Sequence, residues 1–251
     1  MTEARNRTAA PAAGLNGDWL TKDRLHNLLN VRKPAEGEVA SSVYLKPGDT
    51  AESSEWRERL ARLGKTPEDS GSGLVGFRAG GRALVIAPPF PITESSRFDT
   101  WDEGPLWTLL DAERTFGVVL VRLGRYSVAV YRGGDLVTSK TDSRYVKGKH
   151  HAGGTSQLRF QRIREGQMRK MYDKTCATVH RQFAPYAGKF DYIFLGGERF
   201  TLNGFLKVCP YMEQFRSITL GRRLNIRDPK RDTLDEVGGM LHESRVYQFQ
   251  W

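Results

Sequence analysis

From about residue 112 the alternation of apolar and polar positions divides the chain cleanly. The run TFGVVLVRL (115–123) is almost unbroken in apolar residues, as a strand covered on both faces requires. Gly124-Arg125 makes a turn, YSVAVYR a second strand, and Gly133-Gly134-Asp135 turns into a third, LVTSKT. These three runs predict an antiparallel meander. The stretch from Asp142 to Gln157 has no regular period and reads as a loop. A long helix follows, from about Leu158 to Phe183. Its apolar positions Phe160, Ile163, Met168, Met171, Tyr172, Val179 and Phe183 mostly recur at three- and four-residue steps. Pro185 and Gly188 end it. FDYIFLGG predicts a buried strand, ERFTLNGFLKVCP a short helix, SITLG a strand, and about Thr233 to Ser244 a last helix.

Three strands, helix, strand, helix, strand, helix is an α/β (α+β) order. It suits a mixed sheet with a three-stranded antiparallel meander covered by helices, in the general manner of ribonuclease H. The preceding part reads as a smaller α+β region. GDWLTKDRLHNLLNV (17–31) predicts a helix, Ser41–Leu45 a short strand, and SEWRERLARLG a second helix capped by Ser54 and stopped by Gly64. GLVGFR and RALVIA form a hairpin, and Pro88, Pro89 and Pro91 forbid further pairing. Trp101, Leu106, Trp107, Leu109 and Leu110 mark another helix. The expected division is a disordered tail over 1–16, an N-terminal region over 17–111 and a main domain over 112–251.

Composition narrows the class. No stretch has the roughly 18 apolar residues of a membrane helix, and the first residues, MTEARNRTAAPAAG, lack the apolar core of a secretory signal. The expectation is a cytoplasmic protein without membrane contact. Cys176 and Cys209 form no CxxC and no zinc spacing, so they read as two buried reduced thiols, with no metal or other cofactor implied. The formal net charge is +10. Between Lys140 and Lys189 stand twelve lysines and arginines against three acids, so this stretch holds nearly the whole excess. A stripe of that kind is an electrostatic footprint for phosphate-rich partners.

The stripe opens on SRYVKGKHHAGGTSQ (143–157). Arg144, Lys147 and Lys149 carry charge, and His150 and His151 can join them. Gly148, Gly153 and Gly154 free the backbone. The run ends Gly153-Gly154-Thr155-Ser156-Gln157, which places a neutral amide at the tip of a glycine-rich basic loop just before a basic helix. Such a loop can simply grip phosphate; the terminal glutamine is what points to chemistry.

On these residues the chain resembles the release-factor-like peptidyl-tRNA hydrolases of ribosome-associated quality control. These are bacterial relatives of the Vms-type proteins and distant relatives of the catalytic domain of eukaryotic and archaeal class I release factors. The resemblance covers about 112–251 and rests on Arg144-Tyr145, the basic run, the Gly-Gly-Thr-Ser-Gln ending and the order of elements. It implies that the loop enters the peptidyl transferase centre and that Gln157 promotes hydrolysis of the ester. Two residues separate Gly154 from Gln157, where class I release factors have none. The zinc finger and ankyrin repeats of the eukaryotic relatives are missing, which leaves recruitment to another element such as 17–111.

Physical chemistry is compatible with that role. A peptidyl-tRNA ester is already activated, so the protein need only admit one water, orient it and stabilise an oxyanion. Glutamine has no useful pKa but can position water, and its backbone N–H can donate to the oxyanion. The resemblance implies a carboxylic ester hydrolase, acting as a monomer on the large ribosomal subunit and peptidyl-tRNA. Gln157 is catalytic in that reading, Gly153, Gly154, Thr155 and Ser156 position the loop, and Arg144, Tyr145, Lys147, Lys149, His150, His151, Arg159 and Arg162 bind RNA. Two alternatives stay open: a non-catalytic RNA- or ribosome-binding protein, and a tRNA-directed nuclease. The nuclease needs converging carboxylates, and only Asp135, Asp191 and Glu198 flank the predicted strands. A serine hydrolase is a poorer fit, because Ser156 has no GxSxG context.

Overall fold

The structure is a computed structural model that describes residues 17–49, 56, 58, 59, 70–148 and 155–251; at 155 and 156 it describes the backbone. The chain forms two compact units. The first ends at Leu110 and regains Glu243–Trp251; the second is Asp111–His242.

In the first unit, strand β1 (Asp18–Leu20) precedes helix α1 (Lys22–Arg32). Strands β2 (Ala40–Leu45), β3 (Leu74–Ala79), β4 (Arg82–Ala87) and β5 (Ser96–Phe98) follow, then helix α2 (Gly104–Asp111). The sequence reading of one helix over 17–31 is corrected at its start. Asp18–Leu20 pairs with the far end of the chain, and the helix begins after Thr21, whose hydroxyl accepts from the Arg24 amide at 3.5 Å. Strand β2 and the hairpin β3–β4 lie where the alternation put them. The helix expected at 54–64 falls mostly outside the described residues, as does the tail 1–16.

The second unit opens with the meander: β6 (Thr115–Arg122), β7 (Arg125–Arg132) and β8 (Asp135–Ser143). Helix α3 (Thr155–Phe183), strand β9 (Tyr192–Gly197), helix α4 (Arg199–Val208), strand β10 (Thr219–Leu224) and helix α5 (Arg231–Met240) complete it. A 3-10 segment, Pro210–Ile218, lies between α4 and β10 and takes the first residues of the expected SITLG strand. The sheet order is β10-β9-β6-β7-β8, with β6, β9 and β10 parallel and the meander antiparallel. Six of the eight residues of β6 are buried in sequence, which is why its code is an apolar run and not an alternation. Val119, Val121, Tyr126, Val128 and Val130 pack with Met168, Met171, Val179 and Phe183 of α3 and with Leu202 and Phe205 of α4.

Two expectations for the end of the chain change. The last helix stops at Met240, and Ser244–Gln250 forms strand β11, which pairs with β4. The sheet of the first unit is therefore β1-β11-β4-β3-β2-β5, antiparallel throughout. Residues 243–251 thus belong to that unit and not to the 112–251 domain of the sequence division. The SRVYQFQ pattern alternates, but its pairing partner lies about 160 residues upstream.

The cysteines are also corrected. Cys176 and Cys209 are joined in a disulfide, with Cα atoms 5.3 Å apart. Nothing in their separation of 33 residues signals this; the packing of α4 on α3 brings them together. The same packing requires Gly204, where an added Cβ would lie 2.6 Å from the Tyr172 hydroxyl. A bond closing a loop of that size contributes about 4 kcal/mol. A reductant should therefore lower the melting temperature of the second unit by roughly 10 °C. A double Cys176→Ser, Cys209→Ser variant should melt at the lower temperature and ignore the reductant. A melt that reductant leaves unchanged would show that the bond adds no stability.

Candidate functional site

Helix α3 has 29 residues and starts three residues earlier than its apolar pattern suggests. Its first residue in the core is Met168. About 20 Å of helix therefore precedes the point where it meets the sheet. Phe160 and Ile163 fit the apolar period, yet they lie before that point and are 37% and 42% exposed; the expectation that they face the core is corrected. Leu158 is 61% exposed. The N-terminal turns of α3 thus form an arm, and the arm carries Gln157, exposed, in its first turn. The glutamine is helical, not at a loop tip, because the helix has absorbed Thr155 and Ser156.

What fixes the arm is a stripe along α3. Positions 160, 164, 167, 171, 174, 178 and 182 follow steps of three and four, so they share one helix face. Gln182 accepts from the Thr138 hydroxyl at 3.0 Å, and the Thr178 and Tyr126 hydroxyls are 3.0 Å apart. Lys174 meets Asp142 at 2.8 Å, and the Met171 sulfur accepts from the Gly124 amide at 3.2 Å. Gln167 accepts from the Lys147 amide at 2.9 Å, and Arg164 Nε donates to the Lys147 carbonyl at 3.1 Å. The Lys147 ammonium sits 4.2 Å from the centre of the Phe160 ring. Both backbone polar groups of Lys147 are therefore tied to α3. The chain leaving β8 is held along the helix from Asp142 to Lys147 before it enters 149–154.

Electrostatics sharpen the picture. The hydrogen bond from Lys174, aided by the Ser143 amide, holds the Asp142 carboxyl below the usual range for aspartate. The first turn of α3 has no acid, while Arg159 and Arg162 stand exposed just behind it. Cations near the positive end of a helix are unfavourable to the chain itself. They suit an anion brought from outside.

Beside the arm lies a cleft of about 340 Å³, lined by Lys147, Gln157, Phe160, Arg164, Glu165 and Phe200 among others. Five of these belong to the arm and its tether. Phe200, from the first turn of α4, drew no attention in the sequence, where it looks like one more apolar residue of a short helix. Its 65% exposure sets it apart.

The remaining expected site residues fall as follows. Arg144 and Tyr145 lie on the tethered segment: the Arg144 amide donates to the Gly124 carbonyl at 2.9 Å, and the Tyr145 side chain is 76% exposed, so it does not anchor the loop to the core. Lys149, His150, His151, Gly153 and Gly154 lie outside the described residues, as do the side chains of Thr155 and Ser156. Of the three acids that the nuclease alternative would use, Asp135 stands exposed at the start of β8 and the other two have structural partners. Asp191 accepts from the Thr115 amide at 2.7 Å, and Glu198 accepts from the Thr201 hydroxyl at 2.9 Å. No helix among the described residues is long and apolar enough to cross a membrane.

Comparison with known proteins covers this same region. Residues 114–247 match the family described as the Actinobacteria/Chloroflexi VLRF1 release factor. The chain is 28% identical over 149 residues to the peptide chain release factor subunit 1 of Archaeoglobus fulgidus, which covers 55% of this chain and 36% of that protein. It is 24% identical over 239 residues to the same factor of Saccharolobus solfataricus, covering 91% of this chain and 64% of that one. The chain therefore spans between about a third and two thirds of these relatives. Among solved structures, an archaeal translation termination factor aRF1 covers 83% of this chain and 67% of its own at 16% identity and a TM-score of 0.36. A Vms1 mitochondrial localization core covers 70% and 75% at 14% identity and a TM-score of 0.39. The family match takes in more than half of the sequence, including the whole arm, its tether and the cleft, and the chain belongs to the Actinobacteria/Chloroflexi VLRF1 release factor family.

Proposed function

We propose that this protein is a peptidyl-tRNA hydrolase that frees the nascent peptide from its tRNA on stalled large ribosomal subunits, with Gln157 orienting the attacking water. The observation that carries the reading is the placement of Gln157: exposed in the first turn of a tethered arm, beside a cleft, with cations behind it. The release-factor names of the relatives support it.

The reaction is ester hydrolysis. Water oxygen bonds to the carbonyl carbon, the bond from that carbon to the terminal ribose oxygen breaks, and a proton passes from the water to that oxygen. A glutamine amide cannot take the proton at neutral pH. Its carbonyl can accept from the water and fix its approach, which converts a diffusive encounter into an oriented one. The cations of the arm, Arg159, Arg162 and Arg164, hold phosphate and supply affinity. Gly153 and Gly154 have a loop-positioning role in this reading, and Lys149, His150 and His151 bind RNA. The protein works as a cytoplasmic monomer and needs no cofactor of its own in this scheme.

Two measurements test this division of labour. In single-turnover release from large subunits carrying labelled peptidyl-tRNA, Gln157→Ala at saturating enzyme should slow release about a hundredfold, the scale of a lost transition-state contact. Its affinity for the subunit should stay within about twofold, because a neutral amide adds little to many phosphate contacts. Release at the wild-type rate would remove the Gln157 side chain from the chemistry, whereas binding by the wild-type protein without any release would favour a non-catalytic binding protein. The second concerns the tether. Gln167→Leu strips the Lys147 amide of its acceptor, worth about 1 kcal/mol, so hydrogen exchange at that amide should speed up about fivefold and release should slow at unchanged affinity. Gln167→Glu keeps an acceptor and should restore both. Unchanged exchange in Gln167→Leu would mean that the tether does not hold the arm.

A further inference from the structure

Single exposed apolar residues are ordinary on protein surfaces, but Phe200 is not single. It lines one cleft together with Phe160, Lys147, Arg164 and Gln157. Arg199, next in the chain, is exposed as well, and Glu165 is the one acid among the lining residues. Helix α4 cannot swing this aromatic away. Leu202 and Phe205 hold it in the core, Gly204 lets it approach Tyr172 closely, and the bond between Cys209 and Cys176 fastens its end to α3.

Aromatic faces set among cations are what an unpaired nucleotide requires: the base stacks on a ring and the phosphate meets ammonium or guanidinium. A paired RNA helix offers no free base face. The charge of the lining favours a polyanion over a peptide. If Gln157 acts on the ester, the nucleotide that bears the ester must lie beside Gln157, and so beside this cleft. We propose, resting on the function proposed above, that Phe200 with Arg164 and Lys147 forms a subsite for the unpaired 3′-terminal nucleotides of the tRNA. Phe200 would stack on a base there and contribute to the affinity that keeps the tRNA end in the cleft.

The test uses the full chain and large subunits bearing labelled peptidyl-tRNA. Phe200→Ala should raise the half-saturating enzyme concentration about tenfold, the low end of what one lost base stack costs. The maximal rate should change about twofold or less, and Phe200→Trp should restore the wild-type value. Replacement of Phe200 by photoreactive benzoylphenylalanine should give crosslinks within the unpaired 3′ end of the tRNA. Unchanged half-saturation in Phe200→Ala overturns the subsite. So do crosslinks confined to ribosomal RNA, ribosomal protein or the peptide, or no crosslink from a variant that still releases peptide. A protein that crosslinks to the tRNA end but releases nothing would leave the subsite standing and defeat the hydrolase reading instead.

Discussion

The site depends on the seam between α3 and the segment that leaves β8. A helix whose first turns lie outside the core gains nothing from burial there, and isolated helical turns are marginal in water. The seam supplies what burial does not. Gln167 and Arg164 engage the backbone N–H and C=O of a single residue, Lys147, while Lys174 and Asp142 pair further down. Two backbone hydrogen bonds to charged or amide side chains contribute about 1–3 kcal/mol each, enough to hold a short length of chain antiparallel to the helix. With the seam tying Lys147 to α3 and Gln157 lying in the first turn of that helix, Gln157 inherits the direction of the helix.

That seam also explains how much could be read in advance. The meander, α3 and the strand and helix after it were legible because β6 and β7 are long apolar runs and the C-terminal two thirds of α3 repeats apolar residues every turn. The stripe 160-164-167-171-174-178-182 was not, since its contacts are made by an amide, a guanidinium, an ammonium, a hydroxyl and a thioether. Hydrophobic periodicity is blind to a polar seam. The same blindness placed Phe160 and Ile163 in the core: they have the right spacing, but they lie before the sheet begins. Gln157 was singled out by its local motif, whereas Phe200 was not, because its place beside the cleft follows from the packing of α4. The disulfide and strand β11 were missed for a related reason. Each joins residues far apart in the chain, and even the alternation of SRVYQFQ does not name its partner.

Charge links the seam to function. Among the basic residues between 140 and 189, some are spent internally: Lys174 on Asp142, Arg169 on Asp173, Arg164 in part on Lys147. Arg159 and Arg162 stand exposed near the positive end of the helix dipole, where they destabilise the free protein and gain most from an external anion. The division fits a protein whose affinity is electrostatic and whose chemistry rests on one neutral side chain. In the proposed reading the substrate and its ribosomal surroundings complete the active site, so the arm need supply little chemistry beyond Gln157.

The most direct test of that account is isotopic. Large subunits carrying a defined peptidyl-tRNA would be treated with the protein in water enriched in oxygen-18, and the released peptide weighed by mass spectrometry. Hydrolysis of the ester predicts one oxygen-18 atom in the terminal carboxylate of the peptide and a tRNA of full length. A peptide that leaves still esterified to a nucleotide fragment, with no oxygen-18 in its carboxylate, would contradict the account and identify a nuclease.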